Sequence, residues 1–530
     1  MLDMIRDEVR NAPLTNLKNV SLQFITVSIK FVLKNTDMKI THKKFSLLLI
    51  SLMFVSVNSF SQWTQAINIS GQFVKSIVKC GNNYFAGTST GILNIGQIYR
   101  STDEGLNWSL VNTGFDISGV FSMAVKDDHI YVGTYEHGLL RSSDAGVTWT
   151  LNDLGIWKLG VFGVGVSGEN NVFIYINHGT GMSLSTDKGL TFAPLSHNNQ
   201  FSQFQTFSDL PGKFLAGSRK GVALSTNSGS NWSLQINTGL PQNPDGTKPV
   251  RAIYYFNDKL FAGCIDRMYI SSDFGNNFTP TNFQLNNFEY FTSMASAGNK
   301  LFAGLTHTSG SSNPSVIMTT NDGADWVNYQ GDGFPGKGVY SICVSNDYLI
   351  AGTTQSGIWI RPLEKATLTL TNSFEAFSLQ DTITVELRNA VSPYNLIESK
   401  KGLGPQFTFT DASGGIPYFI SVKHRNSITT WSNLPQTFKN NLLNYDFTTA
   451  ESQAFGDNLV NVNGLWSIYT GDVNTDGVVD LSDIALIYND ASNFNNGYVS
   501  TDLNYDGTVD LGDIVFGFNN SSKFVSERKP

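Results

Sequence analysis

The stretch Ser101-Thr102-Asp103-Glu104-Gly105-Leu106-Asn107-Trp108 is written six times along this chain, with small changes. It returns at 142–149, 185–192, 225–232 and 271–278, and more loosely at 319–326. The shared pattern is Ser/Thr-x-Asp/Asn-x-Gly-x-Thr/Asn/Asp-Trp/Phe, and successive copies start 40 to 48 residues apart. Each position has a local task. The Asp or Asn side chain can accept bonds from backbone N–H groups ahead of it, as in an Asx-turn. The Gly supplies a positive φ that a side chain would resist. The aromatic residue then opens the next strand and fills space between neighbouring repeats.

A second marker precedes each turn: a β-run ending in a small residue and Gly. It reads Tyr84-Phe85-Ala86-Gly87, Tyr131-Val132-Gly133, Phe214-Leu215-Ala216-Gly217, Leu260-Phe261-Ala262-Gly263, Leu301-Phe302-Ala303-Gly304 and Leu349-Ile350-Ala351-Gly352, while the third unit departs from it at Val172-Phe173-Ile174-Tyr175. The two markers together give seven units, the period is that of propeller blades, and the seventh unit stops at Gly357-Ile358-Trp359-Ile360 without a turn motif. Gln62-Trp63-Thr64-Gln65 resembles the strand that follows each motif, so it is expected to supply the missing outer strand and close the ring without an exposed edge. The turn motif is the Asp box, and the segment resembles sialidase-like, BNR-repeat propellers. The expected fold is mainly β: a seven-bladed β-propeller over 62–364, then a β-sandwich, then a small α-helical calcium-loop domain.

The resemblance also implies what a catalytic member would need. Sialidases of this fold carry an arginine cluster, a Tyr–Glu nucleophile pair and usually a Phe/Tyr-Arg-Ile-Pro segment. Here Arg100 and Arg141 directly precede turn motifs, as repeat residues, and no Arg-Ile-Pro occurs. Xyloglucanases with related repeats use two propellers and a facing carboxylate pair, whereas this chain has one propeller. No HExxH, P-loop, GxSxG or CxxC site is present. The box Asp residues are therefore read as turn formers, and no catalytic residue is assigned.

Residues 366–465 alternate as strands, for example Thr382-Ile383-Thr384-Val385-Glu386-Leu387-Arg388. Their layout resembles transthyretin-like or carboxypeptidase-regulatory-like sandwiches, where His424, Arg425 and Trp431 either line a ligand surface or serve structure. The segment 466–522 is more specific. Asp472-Val473-Asn474-Thr475-Asp476-Gly477-Val478-Val479-Asp480-Leu481-Ser482-Asp483 fits a 12-residue calcium loop, and Asp502-Leu503-Asn504-Tyr505-Asp506-Gly507-Thr508-Val509-Asp510-Leu511-Gly512-Asp513 repeats it position by position. Oxygen donors stand at positions 1, 3, 5, 9 and 12 (Asp472, Asn474, Asp476, Asp480, Asp483; Asp502, Asn504, Asp506, Asp510, Asp513). Val478 and Thr508 offer a backbone carbonyl at position 7, and Gly at 6 permits the turn. An EF-hand would place a helix before each loop; here helical runs follow, from Ile484 and from Ile514. Loop then helix, twice, resembles a type I dockerin. That resemblance implies calcium as cofactor and a cohesin-like protein or a cell-surface assembly as partner, met at Leu481, Ser482, Leu511 and Gly512. The alternative is a calcium staple internal to the chain.

The formal charge of −8 is local: 471–522 holds nine Asp and no Glu, Lys or Arg, so the remainder is near neutral. No basic stripe marks a nucleic-acid partner. Three cysteines, Cys80, Cys264 and Cys343, are too few for a disulfide scaffold and read as small core residues. Met38-Lys39-Ile40-Thr41-His42-Lys43-Lys44, the apolar run 45–57 and Asn58-Ser59-Phe60-Ser61 read as a signal peptide over 38–61. Its apolar run is too short for the roughly 20 residues of a membrane span, although an anchor is the alternative. Residues 1–37 then read as an over-extended start and 523–530 as a tail. The chain is expected to be secreted, with no membrane span after cleavage. It is expected to act as a non-catalytic binding or scaffold protein, with a glycan among its candidate ligands. The competing reading is a glycoside hydrolase of polysaccharide breakdown, and a third, an assembly factor like the propellers that assist photosystem construction, sits poorly with a secretory signal.

Overall fold

The computed structural model describes residues 62–530 apart from 91–94, 153–159, 177–180, 196–205, 211, 287–288, 307–314, 332, 336–337, 377–380, 413 and 440. The signal peptide and the upstream start expected over 1–61 lie outside the described residues. Among those described, no helix is long and apolar enough to cross a membrane.

From Gln62 to Pro362 the chain forms seven four-stranded antiparallel sheets, six built from consecutive strands. The seventh combines three strands at 339–362 with Thr64–Gln65, through Thr64↔Ile360 and Gln65↔Trp359. The innermost strands pack side by side in a closed circle, the last against the first (Val339–Val344 on Phe73–Cys80). This is a β-propeller.

The six turn motifs share one hydrogen-bond scheme. In the first, Ser101 Oγ donates to Asp103 Oδ1 (2.9 Å), Asn107 N donates to the same oxygen (2.9 Å), and Gly105 N donates to Ser101 Oγ (2.9 Å). Asp144 and Asp187 repeat it, and the Thr148 hydroxyl on Asp144, and the Ser185 and Thr191 hydroxyls on Asp187, all at 2.6 Å, join the N–H donors to hold both carboxyls down to about 2. These carboxylates are turn formers. Each motif also reaches the preceding sheet: Trp149 meets Phe85 edge-on and Trp232 meets Phe173. A Cβ on Gly229 would stand 1.9 Å from the Phe173 ring, at φ +81°. Gly229→Ala is therefore expected to cost about 2 kcal/mol or more from overpacking and left-handed strain together, readable as a lower propeller melting temperature.

Closure by the first strand is equally testable. Trp63 is buried, its ring 4.8 Å from Phe334 and its indole N–H on the Tyr329 carbonyl (3.4 Å). Removing 62–66 would bare the edge of Ile358–Pro362 and empty that pocket. The loss, about 3–5 kcal/mol by analogy with core truncation, should appear as a drop of the whole propeller transition in calorimetry.

Beyond Pro362, a three-stranded sheet (Gln406–Phe409, Ala366–Thr371, Leu442–Asp446) and a larger one (Leu396–Gly402, Ile383–Asn389, Pro417–His424, Ser427–Trp431) enclose one core. This body meets the propeller at Asp411, against Gly298, and Lys300 Nζ on the Glu364 carbonyl (2.8 Å) holds the segment that leads into it. Two helices follow, α1 (Leu481–Ser492) and α2 (Leu511–Ser522).

Candidate metal centre

The two helices begin where their loops end. Asp480 caps α1 and forms a capping box with Asp483, and Asp510 and Asp513 do the same for α2. Position 12 thereby binds the start of its loop to the start of its helix. Asp483 Oδ1 accepts from Val473 N (2.9 Å) and Asn474 N (3.2 Å), and its Oδ2 accepts from Asp480 N (3.0 Å). Asp513 receives the matching three bonds from Leu503, Asn504 and Asp510. Position 1 is held likewise: Gly477 N donates to Asp472 Oδ2 (3.0 Å) and Gly507 N to Asp502 Oδ2 (3.1 Å). Gly477 and Gly507 stand at φ +89° and +90°, where the turn needs glycine.

The charges are what distinguish these loops from ordinary turns. Asp472, Asp483, Asp502 and Asp513 are 0–3% exposed, and none belongs to any of the ion pairs among the described residues. Burial pushes Asp472 up to about 6, aided by the Asp483 and Asp476 charges and opposed by the Gly477 and Asp476 N–H groups. Burial raises Asp483 and Asp502 too. Asp480 and Asp506, at the surface, are instead held down by the Ser482 and Thr508 hydroxyls and N–H groups. Buried carboxylates facing each other without a positive partner are costly, and a hard cation is the group that offsets the cost. No three His, Cys, Asp or Glu side chains close into a ready-made cage among the described residues. The donor set fits calcium rather than a softer metal, because it is all oxygen, with Asn474, Asn504 and the position-7 carbonyls joining the carboxylates.

The sequence-expected partner residues lie at the helix starts. Leu481 and Leu511 are 76% and 71% exposed, Ser482 is exposed and Gly512 half-buried. Behind them Ile487, Leu503, Val509 and Val473 form a small core of the module. The residues read as a tail, 523–530, run back across the first loop. Val479 N donates to the Val525 carbonyl (2.9 Å), Glu527 N to the Gly477 carbonyl (2.7 Å), and Val509 N makes the equivalent bond to Asn495 (3.0 Å). Each loop is thus braced by the segment that follows the other helix.

The module is also bolted to the sheets before it. Asp381, 8% exposed, accepts from Tyr498 (2.7 Å), His424 Nε2 (2.9 Å), Arg425 Nε (3.2 Å) and Tyr505, and Tyr505 is position 4 of the second loop. Burial pushes Asp381 up, but the Tyr505, Tyr498 and His424 bonds outweigh it and hold the carboxyl well below the usual range. Trp431 Nε1 donates to Glu527 (2.7 Å), and Asn520 Nδ2 bridges the Glu375 carboxylate (2.5 Å) and the Thr470 carbonyl (2.9 Å). His424, Arg425 and Trp431 therefore serve this junction.

No family model and no curated protein matches this sequence. Among solved structures, YCF48 from Cyanidioschyzon merolae is similar at 13% identity over 57% of this chain and 98% of its own, with a TM-score of 0.41. PorZ, a surface component of the type-IX secretion system of Porphyromonas gingivalis, is 12% identical over 70% of this chain and 59% of its own, with a TM-score of 0.42. An ancestral GH74 enzyme is 15% identical over 57% of this chain and 50% of its own, with a TM-score of 0.43. The propeller assignment rests on the sheet topology described above.

The Asp381 junction had no sequence signal, because its members are scattered from 381 to 505. A hydroxyl belt inside the propeller did have one. Ser341 Oγ accepts from Ile77 N (2.9 Å), Ser122 Oγ from Val164 N (3.1 Å), Ser293 Oγ from Ile342 N (2.7 Å) and Thr206 Oγ1 from Ile253 N (3.3 Å), each bond joining adjacent sheets. The recurring triplets Val120-Phe121-Ser122 and Val339-Tyr340-Ser341 are its trace.

Proposed function

We propose that this chain is a secreted binding protein whose seven-bladed, Asp-box propeller recognises a ligand while a type I dockerin-like module, folded around two calcium ions, attaches it to a cohesin-like partner. The 366–465 body is read as a transthyretin-like sandwich that spaces and orients the two. One observation carries the attachment reading. Leu481, Ala485 and Tyr488 on α1, and Leu511, Val515 and Phe518 on α2, form the same i, i+4, i+7 stripe twice, and both stripes face solvent. A helix normally buries such a stripe, and large exposed apolar patches mark protein interaction sites.

The test is capture of a cohesin-like domain by the full chain with calcium or with chelator. Binding is expected with calcium alone. Because helix-start anchors would be buried in the complex, Leu481→Asp with Leu511→Asp should weaken it at least tenfold while leaving the calcium-bound fold intact by circular dichroism. Capture unaffected by that pair, or by chelator, counts against the reading. Export is tested separately by N-terminal sequencing of secreted material, expected to start at or near Gln62; residues from 1–37 there would count against it.

A further inference from the structure

Antiparallel order puts the start of every innermost strand at one end of the propeller and every turn motif at the other. The 366–465 body sits at the motif end, since Gly298, which it touches, lies in the turn between the first two strands of its sheet. The channel mouth therefore faces away from that body. In five innermost strands the pairing skips a residue there, between Val74/Ser76, Val120/Ser122, Val161/Gly163, Phe291/Ser293 and Val339/Ser341. Such bulges re-aim side chains and are features rather than faults. The skipped residues are Lys75, Phe121, Phe162, Thr292 and Tyr340, and Arg251 takes the same place before Ala252, which pairs with Gly263.

Apart from Thr292, the side chains so gathered are of two kinds. Phe121 and Phe162 lie 4.4 Å apart with Tyr135 stacked on Phe121 at 5.7 Å. Around the circle, Lys75 Nζ stands 3.4 Å from the Tyr340 ring centre and Arg251 4.8 Å from that of Tyr290. Neither cation belongs to an ion pair among the described residues. Burial of Lys75 pulls its ammonium down to about 8, which an incoming anion would reverse. The channel behind Lys75, Phe121, Phe162 and Tyr340 is a cavity of about 400 Å³, and Ser76, Ser122, Ser293 and Ser341 line it just below the ring tier, while Arg251 lines a neighbouring cavity with Arg219 and Pro249. That volume is within the range of small-molecule sites. A hydroxyl that accepts one N–H can still donate. Asp209, the carboxylate lining this cavity, is three residues below Thr206, about 10 Å at strand rise, and accepts from Ser167 (2.9 Å).

We propose that the channel mouth binds a carboxylate-bearing sugar of an acidic polysaccharide, its ring on Phe121, Phe162 and Tyr340 and its carboxylate on Lys75, with Arg251 at the rim. Flat aromatic walls above a hydroxyl belt suit a ring that is apolar on its faces and polar around its edge. Two cations held against ring faces, without carboxylate partners among the described residues, suit a negative charge from outside. The site rests on reading the propeller as the recognition domain and is independent of the calcium module.

The experiment is titration calorimetry of the calcium-loaded full chain with uronic acid oligosaccharides of several linkages. The same oligosaccharides as neutral methyl esters serve as one comparison, and peptides with free or amidated C-termini as the other. An acidic oligosaccharide is expected to bind at least tenfold more tightly than its ester, and Lys75→Met to remove that preference while Lys75→Arg keeps most of it. Phe121→Ala should weaken both forms. Equal binding of acid and ester, loss of neither with Lys75→Met, binding of peptides alone, or no binding across the uronate panel would overturn the proposal. Chelator should leave the result unchanged, so a failed attachment reading and a failed mouth site are told apart.

Discussion

Calcium added to chelator-treated full-length protein is expected to raise the unfolding temperature of 366–530 and leave the propeller transition where it was. The reason lies in the loops. Asp472, Asp483, Asp502 and Asp513 are buried without cationic partners, so without metal the module carries a repulsion that it relieves by opening or by taking up protons. Binding to the folded form alone stabilises it by mass action, about 2.7 kcal/mol at a hundredfold excess over Kd. Because Tyr498 and Tyr505 reach Asp381, and Asn520 reaches Glu375, the core of the 366–465 body should share in the gain. Asp472→Ala with Asp483→Ala should halve the calcium stoichiometry, and the Asp502 and Asp513 pair should do the same for the other loop. Calorimetry with and without calcium, together with direct calcium titration, measures both. A module that melts identically in chelator, or a propeller that loses stability there, would remove the calcium reading.

Asp381→Ala should be the most damaging single change outside the cores. It strips one carboxylate from His424, Arg425, Tyr498 and Tyr505 and leaves the His424 ring, fully buried, without that partner. Removing one member of a buried charge network costs about 3–5 kcal/mol. Asp381→Asn should cost less, since it keeps an acceptor. The pH dependence follows from the directions of the shifts. Asp381 titrates lower in the folded chain than in the unfolded one, so its contribution is full above an unfolded carboxylate's range near pH 4 and fades only as pH falls below it. Burial lowers His424 against the pull of Asp381, with Arg425 adding to the lowering. A histidine kept neutral by folding contributes above about pH 6.5 and loses that contribution as pH falls. The junction should therefore soften first below about pH 6.5 and fail below about pH 4. Hydrogen exchange at Ser427–Trp431, followed against pH in the parent and in His424→Gln, separates the two steps; a parent profile flat from pH 7 to 5 would refute the first.

The repeating parts of this molecule were legible because each copy states the same local chemistry. Six turn motifs announced the sheets, and the resemblance of Gln62-Trp63-Thr64-Gln65 to a following strand announced where the ring is joined, which is where Thr64 and Gln65 pair. The loops announced their own helices, since Asp480 and Asp510 stand at position 9 of the repeated loop pattern and cap the helices that follow. What stayed hidden was contact between things that do not repeat. Tyr505 reads as an ordinary loop residue until Asp381 is seen opposite it, and His424 reads equally as ligand-facing or structural until its ring proves buried. Phe121 and Lys75 hid for another reason: a position that varies between repeats looks unconstrained, although variation is what a binding tier on a constant frame requires.

The bracing of each loop by the segment beyond the other helix bears on the order in which the protein can be finished during synthesis. The ribosome delivers Asp472–Asp483 early, yet Val479 and Gly477 find their partners only when Val525 and Glu527 emerge. The propeller waits in the same way, its first strand idle until Ile358–Pro362 arrives. A nascent chain thus passes through two periods with an unclosed edge, one at each end of the molecule. If the proposed export precedes folding, both closures fall in one compartment.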